Sequence, residues 1–160
     1  MKLRKVFSVL CAIGIAASNS SAVRAFANDT DQDVSTDIIF DNTDAAGLIS
    51  YYTLSITADV KKVKISAVTS STDIQAKIGF VDIIVQHSSN GVTGWTTEKT
   101  PADQTIPNSN FHELDKFPVD VDGGYYYRVI LDHYAKETGW LFPRSQSVTN
   151  TSNVVWVPAS

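Results

Sequence analysis

From Leu48 onward the chain alternates apolar and polar positions with a period of two. In "LISYYTLSITA" the residues Leu48, Tyr52, Leu54, Ile56 and Ala58 share one face, and in "KKVKISAVTS" Val63, Ile65 and Ala67 oppose Lys62, Lys64 and Ser66. That period is the signature of a strand buried on one side. "KIGFVDIIVQHSS" is more continuously apolar and reads as a central strand, with Gly79 as the position of a bulge. "SSNGVTGW" supplies an Asn-Gly turn and "WTTEKT" a short strand after it. "PADQTIPNSN" reads as a loop, and "FHELDKFPVDV" as an edge strand, because Pro118 cannot donate to a ladder. "VDVDGG" has the chemistry of a hairpin turn. "GYYYRVILDHYAK" is the longest predicted strand, and "SQSVTN" with "NVVWVP" supplies the last one or two. "LDHYAKE" contains good helix formers, but it continues a β-branched and aromatic alternation and is assigned to strand.

Seven or eight short strands separated by turn signals within about 115 residues predict an antiparallel β-sandwich of immunoglobulin or fibronectin-III type. A jelly roll or a small barrel is the alternative all-β arrangement. In "YYYRVILDHY" the parity predicts Tyr125, Tyr127, Val129 and Leu131 facing inward. Tyr126, Arg128, Asp132 and Tyr134 then face outward. His133 falls on the inward parity, where a packed or hydrogen-bonded histidine is expected.

The first 27 residues carry a different pattern. Lys2, Arg4 and Lys5 precede an apolar run from Val6 to Ala17, and Ala25-Phe26-Ala27 matches a signal-peptidase site. The run is shorter than the roughly 20 residues that span a bilayer. Residues 1–27 are therefore expected to be a signal peptide, and the product to be secreted or held at the cell surface. Cys11 would leave with the signal, so neither disulfides nor thiolate metal sites are expected in the 133 of 160 residues that remain. Residues 28–47 begin with six aspartates in "NDTDQDVSTDIIFDNTD" and no basic residue, which predicts a partly mobile segment. Val34, Ile38, Ile39 and Phe40 within it are assigned to a first edge strand. Residues 48–160 form the single sandwich domain. Removing four of the 13 basic residues leaves nine against 17 acidic ones, a net charge of −8. That balance argues against nucleic acid and against an anionic membrane as partners.

Chemical motifs are sparse. Asp120 and Asp122 are the calcium candidates, but if they take positions three and five of an EF-hand loop, position one is Pro118 and position twelve is Val129. A calcium ion between sandwich loops stays open on these two residues; otherwise no cofactor is expected. His87, His112 and His133 lack metal-ligand spacing, and "HELDK" lacks the second histidine of a zincin. No G-x-S-x-G elbow is present and no carboxylate pair is singled out, so no catalytic residue is assigned and the chain is not read as an enzyme. A small secreted hydrolase is the remaining catalytic alternative. "TGWLFPR" places Trp140 and Phe142 in a loop beside Arg144. With the outward Tyr126 and Tyr134, these five residues are the ligand-binding candidates, as an aromatic platform for a sugar face. Trp95 and Trp156 are assigned to core or edge packing.

"KIGFVDIIVQHSSNGVTGW" followed by "GYYYRVILDHYAKETGW", behind a signal peptide, resembles short secreted β-sandwich domains of unknown function from Gram-positive gut bacteria. The Tyr127-Arg128-Val129 strand is also similar to fibronectin-III domains, where a tyrosine near the strand start makes a corner hydrogen bond. The resemblance implies a fold and an exported, non-catalytic binding role, with no catalytic residue or ligand attached to it. A protein partner or self-association, through a sheet edge or the aromatic loop, is the expected mode, and carbohydrate is the rival ligand.

Overall fold

A computed structural model of the chain describes residues 47–159. The expected signal peptide, Cys11, and the acidic segment through residue 46 with its expected strand at Val34–Phe40 lie outside the described residues. Within them the chain forms seven strands and no helix: β1 (Tyr51–Asp59), β2 (Lys62–Ser88), β3 (Thr96–Lys99), β4 (Gln104–Asp120), β5 (Tyr125–Lys136), β6 (Ser145–Thr151) and β7 (Val155–Val157). Every pairing is antiparallel. The sheet curls into a half-barrel with apolar residues from both layers inside it.

β2 builds both layers. Its first half pairs with β1 along one edge and with the second half of β4 along the other. Its second half pairs with β5 on one side and with β3 and the start of β4 on the other. Between the halves, Ser70 faces Phe111 and Gln75 faces Ser109, so Ser71, Thr72, Asp73 and Ile74 all stand opposite Asn110. The surplus residues turn the strand from one layer into the other. Val63, Ile65 and Ala67 of the first half then meet Phe80, Ile83 and Val85 of the second in one core, with Tyr127, Val129 and Leu131 of β5.

A second irregularity resets the side-chain parity within β2. Ile78 and Phe80 are buried, and strict alternation would carry Asp82 and Ile84 inward after them. The ladder slips between Val81 and Ile84, Asp82 takes a positive φ of 51°, and Ile83 and Val85 become the buried residues instead. The bulge expected at Gly79 thus lies three residues later. Gly79 stays in register, and its role is close approach: with φ at +148°, a Cβ there would meet the Gln104 carbonyl oxygen at 2.2 Å.

Several other expectations are corrected by the pairing. The supposed loop "PADQTIPNSN" is strand from Gln104 onward, because β4 pairs only with β2 and the missing N–H of Pro107 falls on an edge strand. Pro118 lies on the same strand. β5, expected to be the longest strand, has 12 residues against 27 in β2 and 17 in β4. Ala58 is exposed near the β1–β2 turn instead of joining the core. Tyr125 is 37% exposed at the start of β5, where its ring lies 4.8 Å from that of His87. The rest of the β5 parity holds, with Tyr127, Val129, Leu131 and His133 buried.

The free edge of β1 is tied to the β6–β7 edge by side chains where no ladder joins them. Gln146 Oε1 accepts hydrogen bonds from the Leu48 and Ile49 N–H groups at 2.5 and 3.0 Å. Asn153 accepts from Ile56 N–H at 2.9 Å and donates to Ile56 C=O at 3.0 Å. Amide side chains suit this role because one end accepts and the other donates.

His133 is fully buried, with Nδ1 2.7 Å from the Thr69 hydroxyl and its ring against Tyr52 and Phe80. Burial pushes its pKa down to about 4, and the Val68 backbone opposes the shift only in part. The neutral ring therefore persists in the folded chain while the unfolded chain takes up a proton near pH 6.5. Stability is complete above that pH and is lost as pH falls toward 4, by about 3 kcal/mol at most. Urea titrations from pH 7 to 4 should show this loss, and His133→Phe should flatten it, leaving the same-signed contributions of His112, whose pKa burial also lowers, and, at the acid end, of Asp59, Glu98 and Glu137, whose pKa values hydrogen bonds lower. A second stability test concerns Gly79. Gly79→Ala should cost about 2 kcal/mol or more through backbone overlap, whereas Gly94→Ala, with open space around it and φ at +66°, should cost about 1 kcal/mol.

Candidate functional site

The two ends of β5 concentrate the polar and aromatic side chains. At its start, Val121–Gly124 links β4 to β5, and those strands pair with β2 without pairing with each other. "VDVDGG" is therefore a crossover between layers and not the hairpin turn read from its composition. Gly123 is there for close approach, since a Cβ would meet the Pro158 carbonyl oxygen at 2.1 Å, and Gly124 N–H donates to Val157 C=O at 2.7 Å.

Tyr127 fastens this crossover. Its hydroxyl lies 2.5 Å from the Asp122 carbonyl oxygen and 2.6 Å from Glu98 Oε2, a corner hydrogen bond shared with a carboxylate. Glu98, from β3, also accepts the Asp122 N–H at 2.8 Å and lies 3.0 Å from His87 Nδ1. Burial alone would raise the pKa of Glu98, but the Tyr127, Asp122 and His87 bonds outweigh it and hold the carboxyl below its ordinary range. Burial, and then the Glu98 carboxylate, drive the Tyr127 phenol upward. The cluster is thus a carboxylate that accepts from Tyr127 and Asp122 beside His87, and it holds β3 to the crossover. Sequence reasoning overlooked Glu98. The available signal was Tyr127 itself, since a buried phenol needs a partner.

Asp120, one calcium candidate, pairs with Lys62 at 3.6 Å, and the backbone of Asp122 is held by Glu98 and Tyr127. Among the described residues no three His, Cys, Asp or Glu side chains converge. Tyr126 packs edge-on against Trp156 at 4.8 Å, and Arg128 lies over the Trp95 ring at 4.3 Å while donating to Gln86.

The other candidates lie at the far end of β5. Tyr134 is half-buried between Gly79 and Ser147, about 27 Å along the strand from Tyr126. Those two tyrosines therefore do not share one platform. Beyond Lys136, Glu137 and Arg144 clamp a loop. Glu137 N–H donates to Arg144 C=O at 2.9 Å, Arg144 N–H donates back to Glu137 Oε2 at 3.2 Å, and the guanidinium grips Oε1 through Nε and a second nitrogen. These bonds from Arg144 hold the Glu137 carboxyl below its usual range. Arg144 thus braces the loop itself. The loop displays Trp140 at 94%, Leu141 at 65% and Phe142 at 88% exposure.

Beside this clamp lies a cleft of about 350 Å³. The β2 bend forms one wall through Ser71, Asp73 and Gln75, and Glu137, Thr138 and Arg144 form another. Gln75 is only 3% exposed; its amide nitrogen donates to Ser71 Oγ at 2.8 Å and to the Asp73 carbonyl at 3.1 Å. The carbonyl can only accept, so the NH₂ must face it and Oε1 points away. Oε1 has no hydrogen-bond partner among the described residues. Sequence reasoning passed over this wall, although its signal was present: the inward parity of Val63, Ile65 and Ala67 continues into the polar Thr69 and Ser71.

No known protein family, curated protein or solved structure matches the chain.

Tyr127→Phe should cost about 1–2 kcal/mol in urea unfolding, because a partly buried carboxylate loses a donor. The Glu98 carboxyl should titrate at higher pH in the same variant, as followed by carbon NMR. Arg144→Ala should instead speed amide exchange of residues 138–143 while amides of the β2–β5 ladder keep their protection.

Proposed function

We propose that this chain is an exported, non-catalytic binding module that engages a partner protein through the loop at residues 138–143. One observation carries the reading: three consecutive large apolar side chains stand in solvent on a loop whose base is clamped by Glu137 and Arg144. Folding alone gives no reason to display Trp140, Leu141 and Phe142 together, since exposed contiguous apolar surface costs solubility and marks contact sites. Tryptophan and other aromatics dominate the energy of protein interfaces when they enter a desolvated pocket. A clamped loop loses less conformational freedom on docking than a slack one.

Two further features support the reading. The titratable cluster around Glu98 is consumed by internal hydrogen bonds, which speaks for a scaffold and against catalysis. The amino-terminal pattern of basic, apolar and small residues supports export, and the acidic balance of the remainder disfavours nucleic acid. Among the described residues no helix is long and apolar enough to cross a membrane.

The test is a photo-crosslinking amino acid at Leu141 in the full chain, expressed in the producing cells. A discrete adduct, competed by excess wild-type protein and not by the Trp140→Ser/Phe142→Ser double variant, is the expected result. Equal competition by that double variant would overturn the loop as the contact. Sequencing the amino terminus of the product outside the cells should begin at Asn28. An intact Met1 retained inside them would remove export from the reading.

A further inference from the structure

We propose that the cleft between the β2 bend and the clamped base of the 138–143 loop binds a neutral polyol, a sugar ring or a short oligosaccharide. This rests on the reading that this end of the domain is its recognition end, but it assigns a second ligand to different residues.

The walls define what the cleft accepts. An anion would face two carboxylates, Asp73 and Glu137, with the one guanidinium already spent on Glu137. An apolar ligand would find mostly polar walls, with Leu48 and Ile74 as the large apolar side chains among them. Hydroxyl-rich neutral molecules fit better, because each O–H both donates and accepts. Asp73 makes no ion pair among the described residues, so its two oxygens can accept from neighbouring hydroxyls, as a planar carboxylate does. Gln75 gives the independent indication. It is an almost fully buried amide in the same wall, and its orientation is fixed by the Asp73 carbonyl with its acceptor end unsatisfied. Buried unpaired acceptors are uncommon in folded proteins, and each calls for a donor. Oε1 has almost no exposed surface in this wall, so a ligand hydroxyl reaches it only with a small shift of the wall, and the free acceptors it meets directly are the Asp73 carboxylate oxygens. The volume of about 350 Å³ falls in the range of small-molecule sites.

The wall is also built to hold its shape. Ser71 Oγ receives the Gln75 amide at 2.8 Å and the Asp73 N–H at 3.4 Å, tying Ser71, Asp73 and Gln75 of the bend to one another. The opposite wall is the Glu137–Arg144 clamp, so neither side needs to be ordered when a ligand enters.

The experiment uses the full mature chain labelled with nitrogen-15 and four probes at millimolar concentration: glucose, galactose, mannose and N-acetylglucosamine. At least one sugar should shift the Gln75 side-chain amide and the backbone amides of residues 71–75 and 137–144 in a saturable manner. Asp73→Ala, a surface change that leaves the core intact, should weaken that binding about tenfold, the loss of one hydrogen bond to a charged group. Trp140→Ala should keep the cleft shifts while removing the crosslinked adduct of the loop, so the two readings fail separately. No shift with any of the four sugars overturns the proposal. Shifts that survive Asp73→Ala but vanish in Trp140→Ala overturn it as well, since the sugar would then sit on the exposed ring.

Discussion

The bend at Ser71–Ile74 is the feature on which the rest of the structure depends. One strand of 27 residues supplies an inner face to each layer, and only the four residues opposing Asn110 let it change layers without ending. A sandwich built from separate strands would need a loop at this point. Here the backbone remains in strand geometry on both sides, so β1, β4 and β5 inherit their positions from the course of β2. The second slip, at Asp82, completes the arrangement by returning Ile83 and Val85 to the core.

Closure then relies on side chains. Gln146 and Asn153 bridge the β1 edge to the last strands with paired donor and acceptor contacts, and Tyr127 with Glu98 secures the crossover at the opposite end. Such contacts are directional and specific, whereas the apolar core beneath them tolerates many packings. The polar residues thus choose one closed form among those the hydrophobic pattern allows. The same logic extends to the far end of β5, where Glu137 and Arg144 hold the loop shut at its base and leave Trp140, Leu141 and Phe142 standing in solvent. The rigid base and the exposed tip are complementary properties of one loop, and the cleft beside it is a direct consequence of the bend in β2.

Much of the all-β architecture was legible because alternation survives in any sheet. Tyr127, Val129, Leu131 and His133 could be placed inward from parity alone, and the Asn-Gly turn before β3 from its composition. The bulge was placed at Gly79 where the ladder slips at Asp82, and parity failed at strand ends open to solvent, at Tyr125 and Ala58. Turn composition failed at "VDVDGG", because Asp-Gly chemistry marks a change of direction without saying which strands it joins. The aromatic loop was visible from "TGWLFPR", but the role of Arg144 as its brace depends on Glu137, seven residues earlier in the chain.

By itself, then, the sequence determined that the chain is a sheet protein, which faces of its strands are apolar, and that a cluster of aromatic residues falls outside them. These are local properties, carried by the period of two and by the chemistry of single residues. Tertiary structure alone decided that β2 serves both layers, that Glu98 meets Tyr127 across 29 positions, and that Gln75 and Asp73 share a cleft with Glu137 and Arg144. Those pairings are long-range, and no spacing in the sequence encodes them. They arise because closing a curled sheet brings distant polar groups out of water together, and each must then find its partner in whatever the fold places beside it.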